Sequence, residues 1–430
     1  MPIEEPALTP RIPHAFRAVM DVLTFSQEPR KEFPSLVDKE WESILRFCEL
    51  AHLTLPLAER TNGSFPQWVI DRLQRNISDN GARFERVKAT YQETSVALDR
   101  AGVEYLVLKG FTQSTDYVSN PRLRVQYDLD FYCPQEMIER AQTVLQAIGY
   151  RPEMTLDYSR ADHQPSLVRK GNWRFQGNDF DPDMPLSIEL HFCLWNERTT
   201  RITVPEVDNF WGRRTIRSLE GLSFPALSRV DHLGHFALHI LRNLLSGDWA
   251  VHHVYELASF LNDHANDDEF WQAWKLCHGP KLRALQLIAF AHAKAWFHCQ
   301  VHDAVEVEMQ ALPSKLHHWL QCFTGSSLEG MFCPNKDRIW LHAALLESSH
   351  EQRKVVWNGL IPSKVRGIHH PATRLNNRRK LPDMHPIPRY VIYLVSRFSA
   401  HARVIPRTLL HGLRWWMLQR QFGLPRRVIY

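Results

Sequence analysis

Asp128-Leu129-Asp130 is the pattern in this chain best suited to chemistry, because a strand repeats its side-chain direction at every second residue. Both carboxylates then share one face while Leu129 and Phe131 point to the other, and two acids so close can share a divalent cation. Mg²⁺ sites for phosphoryl transfer are commonly built this way. Without a cation the pair repels and raises at least one of its own pKa values, so it costs stability in a purely structural role. A solvated strand end is the plain alternative for so short a motif taken alone.

The neighbours of the pair shift the balance. The apolar run Tyr105-Leu106-Val107-Leu108 predicts a strand that ends at Lys109-Gly110 and turns into a helix over Phe111 to Tyr117. Backbone N–H groups exposed at such a turn, together with Lys109, suit a polyphosphate. Arg122 and Arg124 stand just ahead of the carboxylates. Downstream, Leu186 to Phe192 alternates apolar with polar residues, so Glu189 and His191 share a strand face and Glu189 offers a third carboxylate.

The order strand-Lys-Gly, Arg, Asp-x-Asp, helix, Glu-x-His resembles the nucleotidyltransferases of the polymerase-β superfamily. More narrowly, it is similar to a bacterial branch described as uncharacterised nucleotidyltransferases. The motifs that carry the resemblance are Leu108-Lys109-Gly110, Arg124, Asp128-Leu129-Asp130, Gly149-Tyr150 and Ile188-Glu189-Leu190-His191. The resemblance implies an enzyme that uses Mg²⁺ or Mn²⁺ to move a nucleoside monophosphate from an NTP, expected to be ATP, onto an acceptor hydroxyl. Asp128, Asp130 and Glu189 would be the catalytic residues and metal ligands, with Glu189 alternatively the base on the acceptor. Lys109, Gly110, Arg122 and Arg124 would surround the phosphates, and His191 would stand behind the carboxylates.

The family pattern also has a His-bearing helix, then a Trp and an acid, matched here by His239, Trp249 and Glu256. Whether the acceptor is a small molecule, a peptide or a protein is left open. The broad superfamily signature has Gly-Ser or Gly-Gly after the first strand, where this chain has Lys109-Gly110 and a longer gap to Asp128. The rival reading is a non-catalytic nucleotide-binding or adaptor protein that docks through its C-terminal tail.

These residues need a scaffold, and 430 residues with 44% hydrophobic content have room for two or three domains. The expected class is α+β, a small mixed sheet flanked by helices. Its divisions are an N-terminal helical region over 1–95, a nucleotidyltransferase core over 96–220, a helical domain over 221–357 and a basic tail over 358–430. No apolar run nears the ~20 residues of a membrane span. The acidic, Pro-rich start Met1 to Pro6 lacks signal-peptide features, so a cytoplasmic protein is expected. Seven scattered cysteines without Cys-x-x-Cys spacing read as reduced thiols.

Along the chain, Leu36 to Leu53 and Trp68 to Ala101 carry helical stripes, with Glu85, Arg86 and Lys88 on the solvated side. Asp179, Asp181 and Asp183 are spaced like a calcium loop but lack its Gly and bidentate Glu, which leaves a surface loop. Ser228 caps a helix with His232, His235, His239 and Arg242 on one face, either toward the cleft or in a helix interface. Zinc is disfavoured there, since the Glu of His-Glu-x-x-His is missing. Trp271, Trp274 and Trp296 read as core. Asn358 to Pro388 reads as a linker.

Charge is unevenly placed. From Ile361 to Tyr430 there are 14 Lys and Arg against one acid, Asp383, a net of +13, while the first 360 residues carry −8. Trp415, Trp416 and leucines interleaved with arginines over Arg389 to Tyr430 suit an interfacial helix on anionic lipid, with the inner membrane face as its place. Nucleic acid ranks below lipid as a partner. Packing of the tail against the acidic remainder is the alternative.

Overall fold

The computed structural model describes residues 12–25, 36–60, 65–153, 162–169, 171–248, 251–361 and 386–421. The start of the chain, Trp249 and most of the expected linker lie outside these residues. Helical periodicity governs the first hundred residues: α1 (His14–Val22), α2 (Asp38–Leu50), α3 (Thr54–Arg60) and α4 (Gln67–Arg100). In α4 buried positions recur at three- and four-residue steps, apolar at Val69 and Leu73 and again at Phe84, Val87, Tyr91 and Leu98, with Asn76, Asn80 and Arg83 buried between these two stretches.

A five-stranded mixed sheet follows, from β1 (Leu106–Leu108) and β2 (Asp128–Tyr132), then α5 (Ile138–Ala147), then β3 (Arg151–Pro152), β4 (Leu167–Val168) and β5 (Ser187–His191). The spatial order is β1-β2-β5-β4-β3, with β2 and β5 parallel and the other pairs antiparallel. Beyond it come the short α6 (Glu197–Thr200) and the hairpin of β6 (Thr215–Leu219) and β7 (Leu222–Ala226). The helical remainder comprises α7 (Arg229–Ser246), α8 (Val251–Asp263), α9 (Asp268–Cys277), α10 (Pro280–Phe297), α11 (Asp303–Gln310), α12 (Ser314–Glu329), α13 (Arg338–Leu345) and α14 (Ser349–Leu360). A C-terminal helix spans Pro386–Gln421. The α+β architecture expected from the sequence is the one observed.

One local expectation is corrected. Instead of a helix over 111–117 there is a single 3₁₀ turn, Gly110–Gln113, because Lys109 and Gly110 both take positive φ (49° and 55°) and Ser114 is already extended. A second 3₁₀ turn, Gln135–Met137, leads into α5.

The two faces of the sheet are used differently. Val107, Leu129, Phe131, Ile188 and Leu190 pack on α4 and α5 in one apolar cluster. On the other face Leu106 and Leu108 meet Leu238 and Leu241 of α7. Asp130, Glu189 and His191 lie on that second face, so α7 roofs them. The N-terminal helices join the later ones in a third cluster, where Phe47, Leu57 and Val69 meet Phe236, Leu257, Trp271 and Phe290. Trp271 and Trp274 are fully buried, as the sequence suggested.

Candidate active site

The parallel register of β2 and β5 sets Asp128 beside Ser187, Asp130 beside Glu189 and Tyr132 beside His191. Since adjacent partners share a face, the two short motifs merge into one polar patch between apolar strand positions. Asp130 is almost fully buried and doubly anchored: Lys109 Nζ stands 3.1 Å from its Oδ2 and His191 Nε2 2.8 Å from its Oδ1. Glu189 Oε1 accepts from Ser166 Oγ at 3.0 Å, and its Oε2 lies 3.7 Å from His191 Nε2 and 3.8 Å from His163 Nε2. Donor atoms of Asp130, Glu189 and His191 lie within 4.8 Å of one another, which suits one metal ion. Among the described residues no hydrogen bond reaches the Asp128 carboxylate; its backbone carbonyl accepts from Gln126 Nε2.

Electrostatics separate the two aspartates. Burial, then the charges of Asp130 and Glu189, push Asp128 up to about 7. For Asp130, burial works in the same direction, but Lys109 and His191 outweigh it and hold the carboxyl far below its ordinary range. Burial favours neutral His191, yet hydrogen bonds to Asp130 and Glu189 raise it to about 9. His191, helped by His163, lowers Glu189 against its burial and the charge of Asp130. The patch therefore holds one carboxyl with surplus negative charge and an imidazolium that a metal could replace. Two carboxylates and an imidazole, with Asp128 adjacent, form an oxygen-rich donor set suited to a hard divalent cation.

Several residues expected at the site are there. Lys109 pairs directly with Asp130, and His239 lies on α7 beside Arg242, whose Nη2 is 3.4 Å from His239 Nδ1. Burial, then the positive charges of Lys109 and Arg242, drive His239 far below its usual range, so its imidazole is neutral. His235, one turn earlier, is lowered to about 3 by burial and then by Lys109 and His191. His235 and His239 thus stand near the cleft, whereas His232 of the same face packs on Tyr117 and Arg217. Arg124 lies near enough for its charge to act on Asp128, but its guanidinium is 2.9 Å from Glu256 of α8.

Two expectations do not hold. Arg122 is drawn away by Glu85 of α4 and Glu220 of the β6–β7 turn and makes no contact with the carboxylates. Gly110 presents no exposed backbone cradle: it is buried, and a Cβ there would stand 2.3 Å from Gln126 Nε2. Its role is close approach between β1 and the strand entry at Gln126. The Asp179 to Asp183 loop is tied down as a surface loop, with Asp179 on Arg46 and Asp183 on Arg86.

Sequence reasoning missed Asp162. It pairs with Arg242 and lies 3.9 Å from His191 Nδ1, while His163 bridges to His191 across the sheet edge. No periodic signal marked it, since it precedes a two-residue strand.

A solved structure, described as an antigenic nucleotidyltransferase-like protein from Paracoccidioides brasiliensis, aligns over 49% of this chain and 91% of its own at 12% identity. Its TM-score is 0.28, too low to carry an argument. No curated protein matches the chain. The profile of a family described as uncharacterised nucleotidyltransferase matches residues 38–298, more than half of the sequence and all of the elements that build the site, and the chain belongs to that family.

Proposed function

We propose that this chain is a metal-dependent transferase that moves a nucleoside monophosphate from an NTP, taken as ATP, onto an acceptor hydroxyl, with a core of the polymerase-β kind. The observation that supports it is the meeting of Asp128, Asp130 and Glu189 on one sheet face beside Lys109, beneath a helix bearing His239 and Arg242. On this reading the three carboxylates would hold Mg²⁺ or Mn²⁺, with His191 next to them. The ion would supply charge neutralisation at the transferred phosphoryl group. Lys109 and Arg242 bring fixed positive charge to the phosphate oxygens in a site with little water, where such contacts are strong. Alternatively to ligating, Glu189, kept ionised by His191, would take the acceptor's hydroxyl proton.

The test is transfer of label from each α-labelled NTP, with Mg²⁺ or Mn²⁺, to components of a cell extract. The wild-type chain is expected to label an acceptor and release pyrophosphate. Asp128→Asn and Asp130→Asn should each reduce labelling by about 1000-fold and weaken Mn²⁺ binding measured directly by electron paramagnetic resonance. Undiminished turnover in both variants would sink the assignment.

We also propose a peripheral position at the anionic inner membrane face. What supports it is the C-terminal helix, where Leu409, Leu410, Leu413, Trp416 and Met417 are exposed at one-turn spacing, with Phe398 three turns earlier on the same side. Among the described residues no helix is long and apolar enough to cross a membrane.

A further inference from the structure

A cavity of about 520 Å³ opens where α1, the α2–α3 turn, the loop after the 3₁₀ turn and α8 meet. Pockets of this size take small molecules. Arg124 and Glu256 form part of its wall, and Arg124 is also the residue whose charge reaches Asp128, so the cavity lies against the side of the carboxylate patch. His52 and His252 line it too, and their rings, 4.7 Å apart and tilted, continue to His253 (3.8 Å) and, edge to face, from His253 to His239 (4.9 Å) at the roof of the patch.

The wall carries a buried carboxylate oxygen that no donor meets. Its two arginines are both engaged: Arg124 by Glu256, and Arg60 by the Tyr255 hydroxyl and the Phe25 ring, 4.5 Å away. Glu256 is only 5% exposed, and although one oxygen meets Arg124, the other, Oε2, is buried without a partner. A buried carboxylate oxygen left unpaired is costly unless something supplies a donor. Asp263 adds a further acid at the rim, and Thr115, Ser119 and Ser259 add hydroxyls. His52 and His252 contribute no compensating positive charge, being neutral imidazoles. Such a wall repels a triphosphate and favours a cation that can also exchange hydrogen bonds with hydroxyls.

We infer that this cavity binds a small cationic, hydroxyl-bearing molecule of the amino-sugar class, its ammonium on Glu256 Oε2, and that this molecule is the acceptor. The identification as acceptor rests on the transferase reading; the binding itself does not. The Lys109 side of the patch would then receive the nucleotide and the Arg124 side the hydroxyl to be modified.

The experiment measures binding without NTP or metal. Ligand-observed NMR is run with a set of amino sugars and their N-acetylated, uncharged counterparts. Wild-type protein should bind members of the amine set at least tenfold more tightly than their acetylated partners. Glu256→Gln should remove that preference, and Ser259→Trp, which fills the cavity from α8, should abolish binding while a melting curve shows the chain folded. Absence of any amine hit, equal affinity for both sets, or binding that survives Ser259→Trp would overturn the inference. A chain that binds amines yet transfers no label would instead count against the transferase reading and leave the pocket standing.

Discussion

The two aspartates of one three-residue motif live in different electrostatic worlds. From the sequence alone, neutralising either one relieves like-charge repulsion and leaves the fold as stable or more so. The geometry divides the pair, because Asp130 is in contact with two buried cations, Lys109 and His191, while Asp128 feels Lys109 and Arg124 only at a distance. Asp130→Asn should therefore cost about 3–5 kcal/mol, the usual range when one member of a buried ion pair is removed. Asp128→Asn should stabilise. A carboxyl whose folded pKa rises from 3.8 to about 7 loses stability as pH climbs between those values, so the gain from Asp128→Asn should be small at pH 4 and about 1 kcal/mol or more at pH 8. Urea unfolding of both variants at the two pH values, without metal, checks this. Equal destabilisation by both would show that Lys109 and His191 do not discriminate between the carboxylates.

At the scale of elements, the buried histidines of the helical half set an acid limit. His292 on α10 is wholly buried, hydrogen-bonds the Ile288 carbonyl through Nδ1, leaves Nε2 without a partner, and packs edge-on to Trp296 and tilted to Trp319. Burial lowers it from 6.5 to about 4, so the unfolded chain takes up a proton before the folded one does. Its contribution is present above pH 6.5 and is lost as pH falls toward 4, about 2 kcal/mol between pH 7 and pH 5. His292→Phe should match the wild type within about 1 kcal/mol at pH 7 and exceed it at pH 5. An unchanged pH slope in urea titrations would refute it.

The elements also show what the sequence could and could not carry. Period-two alternation placed Asp128 with Asp130 and Glu189 with His191, because strand geometry is local, and the parallel pairing then had only to bring two such strips together. Ser228 was legible as a cap for the same reason, and its side chain does accept from Asp231 N. Arg122 was misplaced because its partners, Glu85 and Glu220, come from elements 37 and 98 residues away, and no local pattern announces such capture. Arg124 with Glu256, and Asp162 with Arg242, are long-range pairings of the same sort. The helix expected after Gly110 failed on two consecutive positive-φ residues, one of which, Lys109, has a side chain that ordinarily avoids that region.

The whole molecule is organised around a charge imbalance, and the C-terminal helix shows how it is spent. One face docks on the body: Arg407 forms a bidentate pair with Glu329 at 2.8 and 2.9 Å, His411 meets Asp337 at 2.9 Å, and Trp340 Nε1 donates to the Thr408 carbonyl. Packing against the acidic remainder is therefore real for this stretch. The opposite face keeps its apolar side chains in solvent, with Leu410 65% and Leu413 51% exposed. Deleting the helix is a poor test of membrane docking, since it would strand Glu329 and Asp337, both nearly fully buried. Replacing Leu409, Leu410 and Leu413 together by Gln acts on the exposed face. That triple variant should keep its melting temperature within a few degrees, yet lose at least tenfold in affinity for vesicles containing anionic lipid. Raising salt to about 0.5 M should weaken the wild type in the same direction, because the basic residues act through screened charge. Arg407→Ala should do the reverse, costing about 3 kcal/mol of stability by leaving the Glu329 carboxylate unpaired while the exposed apolar face stays intact. Co-sedimentation with anionic and neutral vesicles decides: equal binding by the wild type and the triple variant would remove the membrane from the account and leave the exposed face without its proposed partner.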